Sequence, residues 1–308
     1  MRWCRWLWAA TLLVGCTADE EPTVAAPSAR ASSTTATVDT TPATLVPGSV
    51  PPGPGTAVVV SSLGVLGWWD GERWVRYAPG ERVPVLGGEE YTVVRVDEPL
   101  RSVVGATLDR GPCSEFSFDG NPGVGLDLGP ESVWPTLLEP VAISGVEDPR
   151  PRLVSLLAPD AYQVPAREVV EEAGFEPDDA EVVQVVRADL DGDGTDEVIV
   201  VVERHNDPST VTPSLQSSPG DYSVAFLRVA SGDEVRTEVL AMDENDSTAA
   251  SPSPSLLFSR VAAIADLNGD GRMEIVLAQR YYEGSSMVVL EVADDGTTEE
   301  VLAIGCGV

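Results

Sequence analysis

Two stretches of the chain place carboxylates at a spacing that suits a hard cation. Asp189-Leu190-Asp191-Gly192-Asp193-Gly194-Thr195-Asp196-Glu197 and Asp266-Leu267-Asn268-Gly269-Asp270-Gly271-Arg272-Met273-Glu274 align as D-L-[DN]-G-D-G-x-x-E. Side-chain oxygens fall at positions 1, 3 and 5, and a carboxylate returns at position 9. Glycine at position 6 permits a sharp turn, and the carbonyl of position 7 (Thr195 or Arg272) is free to face inward. Calcium takes about six to eight oxygens at about 2.3–2.6 Å, which closely spaced acids on one tight loop can supply. Without a cation, such crowding of like charges is unfavourable.

An EF-hand needs glutamate at position 12 and a helix on either side. Position 12 is Val200 in the first loop and Leu277 in the second. Each loop instead joins two apolar, β-branched runs: VVQVVRA to VIVVVER, and RVAAIA to IVLAQR. The loops are therefore expected between strands. Two more strands follow each loop, at Tyr222–Val229 and Val235–Ala241 in the first unit, and at Ser286–Val292 and Glu299–Ile304 in the second. Each later pair is joined by a polar turn, Ser231-Gly232-Asp233 or Asp294-Asp295-Gly296. Four antiparallel strands per unit is the plan of a propeller blade. The motifs lie 77 residues apart, and the excess over a compact blade falls in 206–220 and 243–255.

The two loops resemble the calcium-binding loops of FG-GAP/VCBS-type repeats, found in integrin-like β-propellers and many bacterial surface proteins. The resemblance implies Ca²⁺ ligands at Asp189, Asp191, Asp193, Thr195 (through its carbonyl) and Glu197. In the second copy it implies Asp266, Asn268, Asp270, Arg272 (through its carbonyl) and Glu274. The chain departs from the family in having Glu rather than Asp at position 9, and it lacks the Phe-Gly/Gly-Ala-Pro signature. The resemblance spans about 181–308, and a closed seven-bladed ring needs more chain than 56–308 provides. The expected fold is mainly β: a small or incomplete β-propeller-like array of four-stranded antiparallel units with one short helix.

Residues 56–150 form the divergent N-terminal part of that domain, and 151–308 the FG-GAP/VCBS-like part. Strands are expected at Ala57–Ser61, Leu63–Trp69, Arg73–Tyr77, Glu90–Val96 and Ser102–Leu108. Asp70-Gly71 reads as a two-residue hairpin turn that sets Trp69 opposite Glu72 and Trp68 opposite Arg73. The helix is expected over Val164–Ala173, with Pro165 in its first turn and Gly174 after its end. A further helical turn is expected near Leu153–Leu157.

Composition closes several routes. All 19 basic residues are arginine, which removes P-loop, Schiff-base and Ser–Lys chemistry. One histidine, His205, excludes a His-rich zinc site. A net charge of −31 disfavours nucleic acid and favours a soluble monomer. Arginine-for-lysine replacement reads as a codon effect of a GC-rich genome. What remains is cation binding, or a two-carboxylate hydrolase acting on glycans.

Residues 1–16, MRWCRWLWAATLLVGC, carry Arg2 and Arg5 before a short apolar run. Leu13-Val14-Gly15-Cys16 resembles the lipobox of bacterial lipoproteins. The resemblance implies a signal peptide over 1–15, cleavage after Gly15, and a diacylglyceryl thioether with palmitate-type chains on Cys16. Residues 16–55, rich in Thr, Ala, Ser and Pro, read as a disordered tether. Cys4 leaves with the signal, so Cys113 and Cys306 are expected to pair, as cysteines in exported domains usually do. Together these features describe a lipoprotein on the outer side of a bacterial cell membrane. Its calcium-stabilised domain is expected to bind or scaffold an extracellular protein or glycan. The catalytic alternative is the hydrolase, and no residue pair stands out for it.

Overall fold

The structure is a computed structural model that describes residues 48–111, 121–129, 138–205, 217–231, 234–245 and 255–307. The expectations for the signal peptide, for Cys16, for the tether up to residue 47, for Cys113 and for most of the two long insertions lie outside these residues. The described residues belong to one compact unit, Ala43–Val308. Among them no helix is long and apolar enough to cross a membrane.

The chain is mainly β, in antiparallel sheets. Its first part contributes β1 (Ala57–Ser61), β2 (Gly64–Trp69), β3 (Trp74–Arg76), β4 (Glu90–Val94), β5 (Arg101–Val104), β6 (Leu108–Arg110), β7 (Pro122–Val124) and β8 (Val141–Ser144). All but β6 and β7 form a six-stranded sheet in the order β3-β2-β1-β8-β4-β5. β1 is buried along its whole length and is an interior strand, so β8 returns from far along the chain to pair with it. β6 and β7 make a separate two-stranded ribbon.

The second part supplies β9 (Val154–Leu156), helix α1 (Gln163–Glu172), β10 (Glu181–Ala188), β11 (Glu197–Arg204), β12 (Tyr222–Ser231) and β13 (Glu234–Glu244). These strands form a sheet in the order β13-β12-β11-β10-β9. The third part is a four-stranded meander of β14 (Phe258–Ala265), β15 (Glu274–Tyr281), β16 (Gly284–Val292) and β17 (Thr298–Gly307). β10–β13 and β14–β17 share one plan, a strand, an acidic loop and three further strands in meander order, and β9 makes the second sheet five-stranded rather than the expected four.

The third sheet is covered on both faces. One core joins Val59, Leu66 and Ile143 of the first sheet to Ala263, Ala265, Val276 and Leu302. A second core joins Val186, Ile199 and Leu227 of the second sheet to Val261, Ile264 and Leu277. β14 is accordingly buried at every residue, and its alanines let the first sheet approach closely. At Gly67 any Cβ would clash with the main-chain carbonyl of Val75 on β3 and would meet Leu302 of β17 at 2.6 Å, so glycine is what lets β2 pair with β3 beneath β17. α1 covers the outer face of the second sheet with Ala166, Val169 and Val170. Each such valine contributes on the order of 1.5–3 kcal/mol through burial.

Several local expectations are corrected. Residues 153–157 are not helical: Val154–Leu156 is the edge strand β9, paired to β10. Ser102–Leu108 is not one strand, because the chain leaves β5 at Val104 and starts β6 at Leu108. The tryptophan hairpin has a four-residue loop, which moves its register: Trp69 faces Trp74 and Trp68 faces Val75, not Arg73. The reason is the Asp70 carboxylate, which accepts the N–H groups of Glu72 and Arg73 at 2.9 Å each and so holds a wider turn. The rings of Trp69 and Trp74 meet edge to face, with centroids 5.4 Å apart. The helix runs over Gln163–Glu172 with Gly174 just beyond, at φ +92°. Ser49, within the stretch read as tether, is buried and bridges to Val83.

Candidate metal centre

The loop from β10 to β11 and the loop from β14 to β15 adopt the same hydrogen-bond framework. In the first, Asp189 accepts the N–H of Gly192 on Oδ1 (2.7 Å) and that of Gly194 on Oδ2 (3.2 Å). Asp191 accepts from Asp193 (3.0 Å), Asp193 from Thr195 (2.6 Å), and Glu197 from Leu190 (2.8 Å). In the second, Asp266 accepts from Gly269 (2.6 Å) and Gly271 (2.8 Å). Asn268 accepts from Asp270 (2.9 Å), Asp270 from Arg272 (2.7 Å), and Glu274 from Leu267 (2.7 Å). Both loops carry their two glycines in the left-handed region: Gly192 and Gly194 at φ +82° and +89°, Gly269 and Gly271 at +79° and +89°. Residues with a Cβ are strained there.

Carboxylate oxygens of Asp189, Asp191 and Glu197 lie within 4.8 Å of one another. Two ligands of one calcium ion can be separated by at most about 5 Å, so this group fits the ion. Asp193 is exposed and outside the group, and Thr195 is also exposed. In the second loop Asp266, Asn268 and Glu274 are buried, while Asp270 is exposed. The Arg272 side chain runs to Asp294 (2.5 Å) and to the carbonyl of Val292 (2.7 Å).

The electrostatics follow from burial. Glu197 is 4% exposed, and loss of solvent, reinforced by the charges of Asp191, Asp193 and Asp189, pushes its carboxyl up to about 7. Burial likewise raises Asp266 and drives Glu274 well above the ordinary carboxylate range. Glu274 is 1% exposed and its Oε1 has no hydrogen-bond partner among the described residues. A buried carboxylate with an idle oxygen needs a proton or a cation. The oxygen-only donor set suits a hard cation rather than a thiophilic metal.

Three features of the site have no signature in the motif. Arg152, in the loop before β9, donates to the carbonyls of Asp189 (2.5 Å) and Leu190 (2.9 Å) and stands 3.9 Å from the Asp189 carboxylate. Glu291 on β16 is raised by burial and then by the charge of Asp270, which places a further acid beside the second loop. The N–H of Met273 donates to the carbonyl of Leu190 at 2.8 Å, joining the two loops directly. No local pattern marks these residues, because each acts across a gap of many residues in sequence.

Away from the loops, a cavity of ≈ 360 Å³ lies at the β15–β16 hairpin, lined by Arg280, Tyr281, Tyr282, Glu283 and Cys306 among others. It presents one carboxylate, Glu283, where a glycan hydrolase needs two. Cys306 is disulfide-bonded, and its expected partner Cys113 lies outside the described residues. No protein-family model matches the sequence, and no curated protein or solved structure matches it.

Proposed function

We propose that the chain is a bacterial lipoprotein, anchored on the outer side of the cell membrane through Cys16. Its folded part is a calcium-stabilised module, arranged as an incomplete propeller, that binds or scaffolds a partner at the cell surface. The observation that carries the calcium reading is the duplication. In two loops 77 residues apart, side chains at the same four positions accept the same five main-chain N–H groups, and each loop ends on a buried glutamate. Acidic turns that served only solubility would have no cause to repeat this arrangement twice.

Asp189, Asp191 and Glu197 would hold one ion, and Asp266, Asn268 and Glu274 the other. The cation supplies positive charge that allows the buried carboxylates to stay ionised in the folded state. Each loop joins two neighbouring strands of one sheet, β10 to β11 and β14 to β15, and the Met273–Leu190 hydrogen bond ties loop to loop, so bound ions would stabilise the two sheets and the seam between them. The test is elemental analysis of protein purified without chelator, with thermal melts in calcium and in EDTA. Bound calcium and a higher melting temperature support the reading; no metal and coincident melts reject it.

A further inference from the structure

The terminal strands of the sheets are not protected alike. β3, β5 and β9 have three or four residues each, too short to template another strand well. β17 is long, but Arg76 donates to the carbonyls of Glu300 and Val301 and blocks that edge. β13 is the longest strand, with 11 residues, and is paired only to β12. Among the described residues no main-chain hydrogen bond reaches its outer side.

The side chains of β13 sort onto two faces with different chemistry. Val239 lies opposite Phe226 and Met242 opposite Val224, and Val235 continues this row opposite Ala230. All three are about half exposed, at 53%, 47% and 50% for Val235, Val239 and Met242. The bulge at Leu240 is what keeps Val239 and Met242 on one face although they are three residues apart. The opposite face carries Glu234, Arg236, Glu238 and Asp243, with Arg236 already held by Glu238 at 3.0 Å. Thr237 and Glu244 share the face of the three apolar residues, so that face is mainly apolar and the opposite one mainly acidic.

We infer that the outer edge of β13 takes an extended segment of a partner polypeptide as an added strand, with apolar and basic residues in alternation. Main-chain hydrogen bonds supply affinity in such strand addition, and alternate side chains supply selectivity. The partner's apolar residues lie on Val235, Val239 and Met242. Its basic residues face Glu234 and Glu238, the Asp243 carboxylate being already taken by the N–H groups of Glu244 and Leu257. A second copy of this chain is a poor occupant, since it would set the same acids against each other at a net charge of −31 per chain. The inference rests on the binding-module reading for its purpose, but strand addition at β13 is independent of calcium.

The test uses the purified protein, kept in calcium, and three short peptides. One alternates valine and arginine, one alternates valine and glutamate, and one is the basic peptide with a central proline. Binding is followed by calorimetry, and its location by hydrogen exchange. The basic peptide is expected to bind and to slow exchange along β13, with the acidic and proline peptides weaker by about tenfold or more. Val239→Lys, at an exposed position, should weaken the basic peptide by a similar factor and leave the calcium-dependent melt unchanged. Equal binding of the proline peptide, protection outside β13, or no binding of the basic peptide overturns the inference. A failed calcium melt with β13 protection intact would count against the metal reading alone.

Discussion

The side-chain amide of Gln184 satisfies the main chain of Val261 in both directions. Nε2 donates to the Val261 carbonyl at 2.9 Å, and Oε1 accepts the Val261 N–H at 2.8 Å. Gln184 follows a bulge in β10, and Val261 precedes one in β14. Where the β14–β15 ladder breaks, a side chain from the neighbouring sheet takes over the hydrogen bonds. Gln184→Leu should therefore leave a buried N–H and C=O unpaired and destabilise the fold by about 2–4 kcal/mol. Urea unfolding of the variant checks this; a midpoint equal to the parent's would remove the bond from the list of important contacts.

Calcium should raise stability through both loops. At a concentration about one hundred times its Kd, each independent site adds about 2.7 kcal/mol. Glu274→Gln removes the charge that ends the second loop. It should cut the calcium-induced rise in melting temperature by roughly half while leaving the metal-free protein no less stable. A full-sized rise in that variant would mean that the second loop does not hold the ion.

The metal-free protein should lose stability as pH rises. Burial and neighbouring acids move Glu197 from 4.5 to about 7, and Glu274 moves in the same direction. A carboxyl raised in the folded state binds its proton more tightly there than in the unfolded chain. Its contribution is fully present below the unfolded value and is lost as pH passes through the folded one. Melts in EDTA should fall between about pH 5 and about pH 8, and calcium should remove most of that fall. The Glu197→Gln, Glu274→Gln double variant should show a flatter profile. An unchanged slope would assign the effect to other groups.

Arg260 and Glu203 form a buried ion pair between the third and second sheets, with side chains 7% and 8% exposed. Ser223 also donates to Glu203, at 3.4 Å. Arg260→Met should cost about 3–5 kcal/mol, because it strands a buried carboxylate. Adding Glu203→Gln should recover part of that loss. Chemical denaturation of the three proteins decides, and a double variant no better than the single would show that packing, not charge, dominates.

Reduction should weaken the fold. Cys306 is disulfide-bonded near the end of β17, and the expected pairing with Cys113 closes a long loop. Chain entropy then sets an upper figure of about 5 kcal/mol. Peptide mapping under non-reducing conditions should recover a fragment linking Cys113 to Cys306, and a different partner would correct the assignment.

Much of the second half was legible because its signals are local. Alternating β-branched runs, Asp-Gly turns and the repeated nine-residue loop predict every strand from β10 to β17, with ends within three residues, the largest misses being the C-terminal ends of β13 and β17. The first part was harder. Nothing near Val141 says that β8 inserts between β1 and β4, since strand order is set by which faces need covering. The Asp70 side chain, by capping two N–H groups, overrode the turn that Asp-Gly alone suggests. At the candidate metal centre the motif gave the loop acids, but not Arg152 or Glu291, which arrive from other elements through tertiary packing. The unequal protection of strand edges was equally invisible, because an edge exists only once the order of strands is known.

The seam between the second and third sheets is tied at three heights. Leu190 meets Met273 at the loop end, Gln184 meets Val261 further along, and Glu203 meets Arg260 toward the far end. The hydrophobic effect is non-directional, so by itself it resists sliding less than pulling apart. Directional ties at three separate points forbid that sliding. Under a shearing load the two sheets would move as one rigid plate and fail together, giving a single force step rather than a gradual slip.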